Sequence, residues 1–174
     1  MKILNFNGEY EEIHRSIYKL FDEAIRRHNK IFFIRFDLTF NANIDYPSEN
    51  QLISRFMEAL TLHCKRRELD PLYLWVREQA GSSNHHYHVL LLLNGNKIQN
   101  PYGIFNKATE LWGNCLNTDA TGLVHYGSHK MIRRNDNDFD HTYNEALNLA
   151  GYLAKSYSKG EAPKGVREMG KSRF

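Results

Sequence analysis

His86-Tyr87-His88 runs directly into Val89-Leu90-Leu91-Leu92-Leu93. A strand sends successive side chains to opposite faces, so the two imidazoles share one side while Tyr87, Val89 and Leu91 take the other. Two neighbouring imidazoles on one face are a metal-binding pair, and a divalent ion needs at least a third protein ligand. Glu78, eight residues before His86 at the end of the preceding strand candidate, can lie beside the rings across a hairpin. Asp37, on the polar side of an earlier strand, is the rival. Two histidines and a carboxylate with no thiolate fit Mg²⁺ or Mn²⁺ and leave positions for water and substrate oxygens. Such an ion would polarise a phosphate as a Lewis acid.

A second chemical unit lies further along, Tyr152-Leu153-Ala154-Lys155. Of the ten tyrosines, only Tyr152 has a lysine three positions later. At helical spacing the two share a face, with Lys159 further along the same stripe. A phenol with a pKa of ~10 is a poor nucleophile at neutral pH, and a neighbouring ammonium favours its phenolate and stabilises charge on an attacked phosphate. Tyr157 is five residues from Tyr152, about 140° around an ideal helix, so it does not share that face. It is expected to pack or to touch DNA rather than to attack.

These groups need elements to hold them. Residues 9 to 29 space Ile13, Ile17, Leu20, Phe21 and Ile25 as an amphipathic helix. Ile31 to Phe40 is a strand with Phe32, Ile34, Phe36, Leu38 and Phe40 on one side. Arg35, Asp37 and Thr39 on its other side suit a polar groove. Ser48-Glu49-Asn50-Gln51 has capping-box spacing and opens a helix to about Leu69. Leu72 to Glu78 is the next strand, joined through Gly81-Ser82-Ser83-Asn84 to the His86 strand, with His85 in the loop. A helix follows near 102 to 116. Gly122 to Tyr126 and Lys130 to Arg133 are short strand candidates with a turn at Gly127, so His125 and His129 are not taken as ligands. The last helix spans roughly 141 to 157, and an extended tail follows. Hairpin-joined strands separated by helices indicate an α+β sandwich with a mainly antiparallel sheet.

The 174 residues fit one domain, residues 1–174, with a basic tail from about 158. Residues 152 to 174 carry a net charge of +4, which leaves the first 151 residues at −1 of the overall +3. Lys159, Lys164, Arg167, Lys171 and Arg173 are therefore candidates for phosphate-backbone contacts, which position DNA without reading its sequence. No apolar stretch approaches the ~20 residues that span a bilayer, and the polar N-terminus is unlike a secretory signal. Cys64 and Cys115 have no metal-ligand spacing and suit a reducing compartment, so a cytoplasmic location with no membrane partner is expected.

Taken together, Phe36-Asp37-Leu38-Thr39-Phe40, Glu78 with His86-Tyr87-His88, Gly151-Tyr152-Leu153-Ala154-Lys155-Ser156, and the ending from Gly165-Val166-Arg167 to Gly170-Lys171-Ser172-Arg173 resemble the HUH endonuclease superfamily. The chain looks most like its single-tyrosine rolling-circle replication initiators, in particular those of filamentous phages and their prophage relatives. That resemblance implies a five-stranded antiparallel sheet carrying the histidines centrally. It implies attack by Tyr152 on a phosphodiester of single-stranded DNA at a replication origin, a 5′-phosphotyrosyl adduct and a free 3′-OH that primes synthesis. It also implies a host helicase and replication machinery as partners. Conjugative relaxases and single-strand transposases share the chemistry, and a non-catalytic DNA-binding regulator could share the fold.

Overall fold

The computed structural model describes residues 10–79, 84–155 and 162–174. Its elements in chain order are α1 (Glu11–Arg27), β1 (Lys30–Leu38), α2 (Gln51–Arg66), β2 (Leu72–Glu78), β3 (His86–Asn94), α3 (Tyr102–Leu116), β4 (Val124–Arg133), α4 (Phe139–Gly151), a single 3₁₀ turn (Tyr152–Ala154) and β5 (Met169–Lys171). The five strands form one antiparallel sheet in the order β4-β1-β3-β2-β5, flanked by the four helices. This is the expected α+β sandwich.

The alternation in β1 and β3 builds two cores. Phe32, Ile34, Phe36, Leu38, Tyr87, Val89 and Leu91 face α2 and α3, where they meet Phe56, Leu60 and Trp112. Ile31, Phe33, Leu90 and Leu92 face α1 and α4, against Leu20, Phe21, Ala146 and Ala150. β3 sits in the middle of the sheet, which explains a five-residue apolar run with no polar alternation: both of its faces are buried. His86 and His88 share the face of Leu90 and Leu92, the α1/α4 face, at the end of β3 where the apolar run has not yet begun.

Several expectations need correction. Ser48 does not cap α2. The residue at the cap is Asn50, whose side chain instead pairs with the Arg167 backbone through Nδ2–H to the carbonyl at 2.9 Å and the Arg167 N–H to Oδ1 at 2.7 Å. α2 ends at Arg66 rather than near Leu69, because Glu68 and Asp70 take left-handed backbone (φ 56° and 43°) that turns the chain and buries Leu69. Gly127 makes no turn between two short strands. It sits at a register shift opposite Arg35/Phe36 within one continuous ten-residue β4, where a Cβ would come within 3.0 Å of the Arg35 carbonyl oxygen.

The fifth strand comes from the tail, not from 130–133. β5 pairs with β2, and Gly170 is required there: a Cβ would lie 2.4 Å from the indole of Trp75, itself 2% exposed. The last α-helix stops at Gly151, so Tyr152 stands on the 3₁₀ turn and Lys155 on extended backbone beyond it. Among the described residues no helix is long and apolar enough to cross a membrane.

Candidate metal centre

The β2–β3 pairing sets Glu78 opposite His86, and the β1–β3 pairing sets Asp37 opposite His88. All four side chains then emerge on the α1/α4 face at the same end of the sheet. Glu78 Oε2 lies 2.7 Å from His88 Nε2 and 3.3 Å from His86 Nε2. Glu78, His86 and His88 each offer one ligand atom, and these atoms all fall within 4.8 Å of one another. An ion held by the three would replace the direct Glu78–His88 contact, and the mixture of two borderline nitrogens with one hard oxygen suits a divalent cation.

Asp37 occupies a different place from Glu78. Its Oδ1 lies 2.5 Å from His88 Nδ1, the ring nitrogen opposite the one that faces Glu78. A carboxylate that accepts the Nδ1 proton fixes the tautomer, points Nε2 at the ligand position and makes that nitrogen more basic. Burial works against the charged form of His88, but the hydrogen bonds to Asp37 and to Glu78 outweigh it and its pKa is raised. Without metal, the two carboxylates therefore favour the protonated ring more than water does. Glu78 thus belongs to the group that could hold an ion, and Asp37 stands behind it.

The polar face expected on β1 continues onto β4. His125 pairs opposite Asp37, and its Nε2 is 3.1 Å from Thr39 Oγ1. One neighbour of the pair was not foreseen. His85 is in the loop, yet it is 3% exposed, packed 4.7 Å from the Phe40 ring and hydrogen-bonded to the Tyr87 hydroxyl at 3.0 Å. Burial first, then the charges of Arg77 and His86, push its pKa down to about 4. A third consecutive His/aromatic residue offered no pattern by which burial could be read from sequence.

Tyr152 and Lys155 do come together: the Lys155 ammonium is 5.7 Å from the centre of the Tyr152 ring. Three residues complete one 3₁₀ turn, so i and i+3 still stack although the α-helix has ended. Leu153 and Ala154 pack into the same core as Val76 and Leu90, and the Ala154 carbonyl accepts the Tyr10 N–H at 2.8 Å. This anchors the turn over the histidine-bearing face. The Tyr152 ring itself is 56% exposed. Tyr157 and Lys159 lie outside the described residues.

The other tail cations gather along β5 rather than around Tyr152. The Arg167 guanidinium sits 5.6 Å from the Trp75 ring centre and 3.3 Å from Ser54 Oγ. Lys171 Nζ donates to Ser16 Oγ at 2.9 Å, which ties β5 to α1. Arg167, Lys171 and Arg173 join Arg27 and Lys65 on the wall of one cleft of about 700 Å³ beside α2. Lys164 is exposed in the turn before β5.

Comparison with known proteins places this architecture in a family. Residues 2–172 match the YagK/YfjJ C-terminal domain. The chain belongs to the YagK/YfjJ C-terminal domain family. A relative from Escherichia coli (strain K12), named "Uncharacterized protein YfjJ", is 28% identical over 188 residues, covering 87% of this chain and 90% of its own length. No solved structure matches the chain. The relative's name assigns no activity, so the function of this YagK/YfjJ domain has to be argued from its residues.

Proposed function

We propose that this chain is a metal-dependent, site-specific endonuclease and strand transferase for single-stranded DNA, of the HUH type, that initiates rolling-circle replication. What carries the reading is the Glu78–His86–His88 cluster on the central strand, with Asp37 bonded to the far side of His88. A cytoplasmic location and a host helicase belong to the same proposal.

Glu78, His86 and His88 would hold Mn²⁺ or Mg²⁺, which when bound supplies Lewis-acid polarisation of the scissile phosphate. Tyr152 is the nucleophile. Its Oη forms a bond to phosphorus, the bond from phosphorus to the 3′-oxygen breaks, and the phenolic proton passes to solvent while the departing oxygen is protonated to a 3′-OH. Lys155 places positive charge beside the phenolate and the attacked phosphate. Reversal by another 3′-OH rejoins the strand. The cations of the β5 cleft would hold the DNA backbone.

The test uses the full chain with a random-sequence single-stranded DNA pool labelled at its 3′ ends, because a 5′-phosphotyrosyl link retains the 3′ fragment. With Mn²⁺, a labelled band at protein-plus-DNA mass should survive denaturing electrophoresis and vanish in Tyr152→Phe or with chelator. DNA binding with no such band would make the protein a non-catalytic regulator on this fold.

A further inference from the structure

β4 is an edge strand, and its two faces differ at neighbouring residues: His125 lies opposite Asp37 on the histidine-bearing face, while Tyr126 lies opposite Phe36 on the α2/α3 face. Around Tyr126 there is an exposed group of rings. Tyr126 is 44% exposed, and Tyr102, at the start of α3, is 72% exposed. Tyr102 lies one helical turn before Phe105 at the start of α3, on the same side of that helix. Phe105 packs edge-on against Tyr126 with ring centres 6.2 Å apart. His129 lies 5.7 Å away on the other side, accepts or donates a hydrogen bond to the Tyr126 hydroxyl, and rests on Phe32 at 5.6 Å. The Tyr126 ring is therefore held in place from two sides although it is open to solvent.

The charge beside these rings is positive. The Arg67 guanidinium lies 3.5 Å from where a Cβ of Gly103 would sit, so the bare first turn of α3 lets it reach the residue next to Tyr102. Burial lowers the pKa of His63, and the nearby charges of Lys107, Arg67 and Arg66 lower it further. The neighbouring Lys107 is matched by Glu110 at 2.8 Å, whereas among the described residues no ion pair joins Arg66 or Arg67 to a carboxylate. Exposed rings, one of them fixed in orientation, beside guanidinium groups suit an occupant with flat faces and a negatively charged backbone, which is single-stranded nucleic acid.

We propose that Tyr102 and Tyr126, the latter steadied by Phe105 and His129, are a base-stacking platform for single-stranded DNA that crosses the β4 edge, with Arg67 on its phosphates. The proposal rests on the reading of the substrate as single-stranded DNA. It adds the direction from which the strand arrives: β3, β1 and β4 are consecutive, so a strand leaving His88 passes Asp37 and His125 and reaches the platform two strand spacings away, on the order of 10 Å.

The experiment is fluorescence anisotropy with a labelled 20-nucleotide single strand in chelator, so that cleavage plays no part. Each base–ring contact is expected to count for about five- to hundredfold in affinity. Tyr102→Ala and Tyr126→Ala should each weaken binding at least about fivefold and the double variant more, while Tyr102→Trp restores it. Tyr18→Ala, at an exposed ring on α1, should change nothing. An oligonucleotide with abasic sites should bind wild type as weakly as the double variant, and the double variant should no longer distinguish the two DNAs. Unchanged affinity in the double variant overturns the platform, as does an equal loss on normal and abasic DNA. So does concentration-dependent self-association in sedimentation that the double variant abolishes without altering DNA affinity. If Tyr152 forms its adduct while the double variant binds normally, only the platform fails; if wild type binds no single strand at all, the reading of the substrate fails with it.

Discussion

Asp37→Asn separates a ligand from a group that orients a ligand. Asn keeps the volume of Asp and can still accept the His88 Nδ1 proton, so the 2.5 Å contact survives while its charge is lost. Asp37 is 27% exposed and His88 12%, so the interaction is only partly screened by solvent. Removing the outer partner of a ligating histidine typically weakens metal binding by about 10–100-fold. At a fixed Mn²⁺ concentration above Kd, each tenfold subtracts about 1.4 kcal/mol from the stabilisation that the metal confers. Isothermal titration of Mn²⁺ into wild type, Asp37→Asn, Asp37→Ala and Glu78→Gln gives the ranking directly. Asp37→Asn should sit within that interval, Asp37→Ala at its weak end because orientation is lost as well, and Glu78→Gln below both. A wild-type affinity for Asp37→Asn would refute the orienting role. Equal loss in Asp37→Asn and Glu78→Gln would make Asp37 a ligand after all. The raised pKa of His88 adds a sign that the same titration can check. Metal must displace a proton from Nε2, so affinity should rise with pH from the ordinary histidine range upward, with proton release visible as a dependence of the binding heat on buffer.

Three other predictions concern fold and chemistry. His85 is neutral and buried with a pKa of about 4 against 6.5 when unfolded, so the unfolded chain binds the extra proton between those values and stability falls as pH drops through that window. The loss should reach about 3 kcal/mol near pH 4, and urea denaturation of His85→Gln should lack that part of the slope. Gly170→Ala drives a methyl into the buried Trp75 indole and should cost about 1–3 kcal/mol in the same assay, with β5 released from the sheet edge; an unchanged midpoint would show that β5 is not seated against Trp75. Lys155→Ala should slow adduct formation by about tenfold or more while leaving single-strand affinity within about twofold, and an affinity loss with an unchanged rate would assign Lys155 to DNA binding.

Periodicity was sufficient for the four helices, for β1 to β3 and for the histidine pair, because each of those elements buries a regular stripe or alternates between two faces. The hairpin also set Glu78 beside His86, since a hairpin's ends are neighbours by construction. What it could not supply was register between strands distant in sequence. Arg35, Asp37 and Thr39 were legible as a polar face, but that Asp37 stands opposite His88, and His125 opposite Asp37, depends on how β1 seats between β3 and β4. The tail defeated pattern reading for a related reason. Three residues, Met169–Lys171, carry no periodicity, and the glycine that lets them approach Trp75 reads in sequence as a loop signal. The same blindness applies to Asn50: its side chain has the chemistry of a helix cap, and only the tertiary return of Arg167 redirects it.

The most direct measurement is the identity of the residue that carries DNA. Wild-type protein incubated with single-stranded DNA and Mn²⁺, digested with nuclease and protease and analysed by tandem mass spectrometry, should yield one nucleotide-bearing peptide, with the 5′-phosphate on Tyr152 and none after chelation. A phosphate on another tyrosine would move the nucleophile away from the Tyr152–Lys155 pair. DNA cleavage with no peptide-linked nucleotide would contradict the covalent mechanism itself.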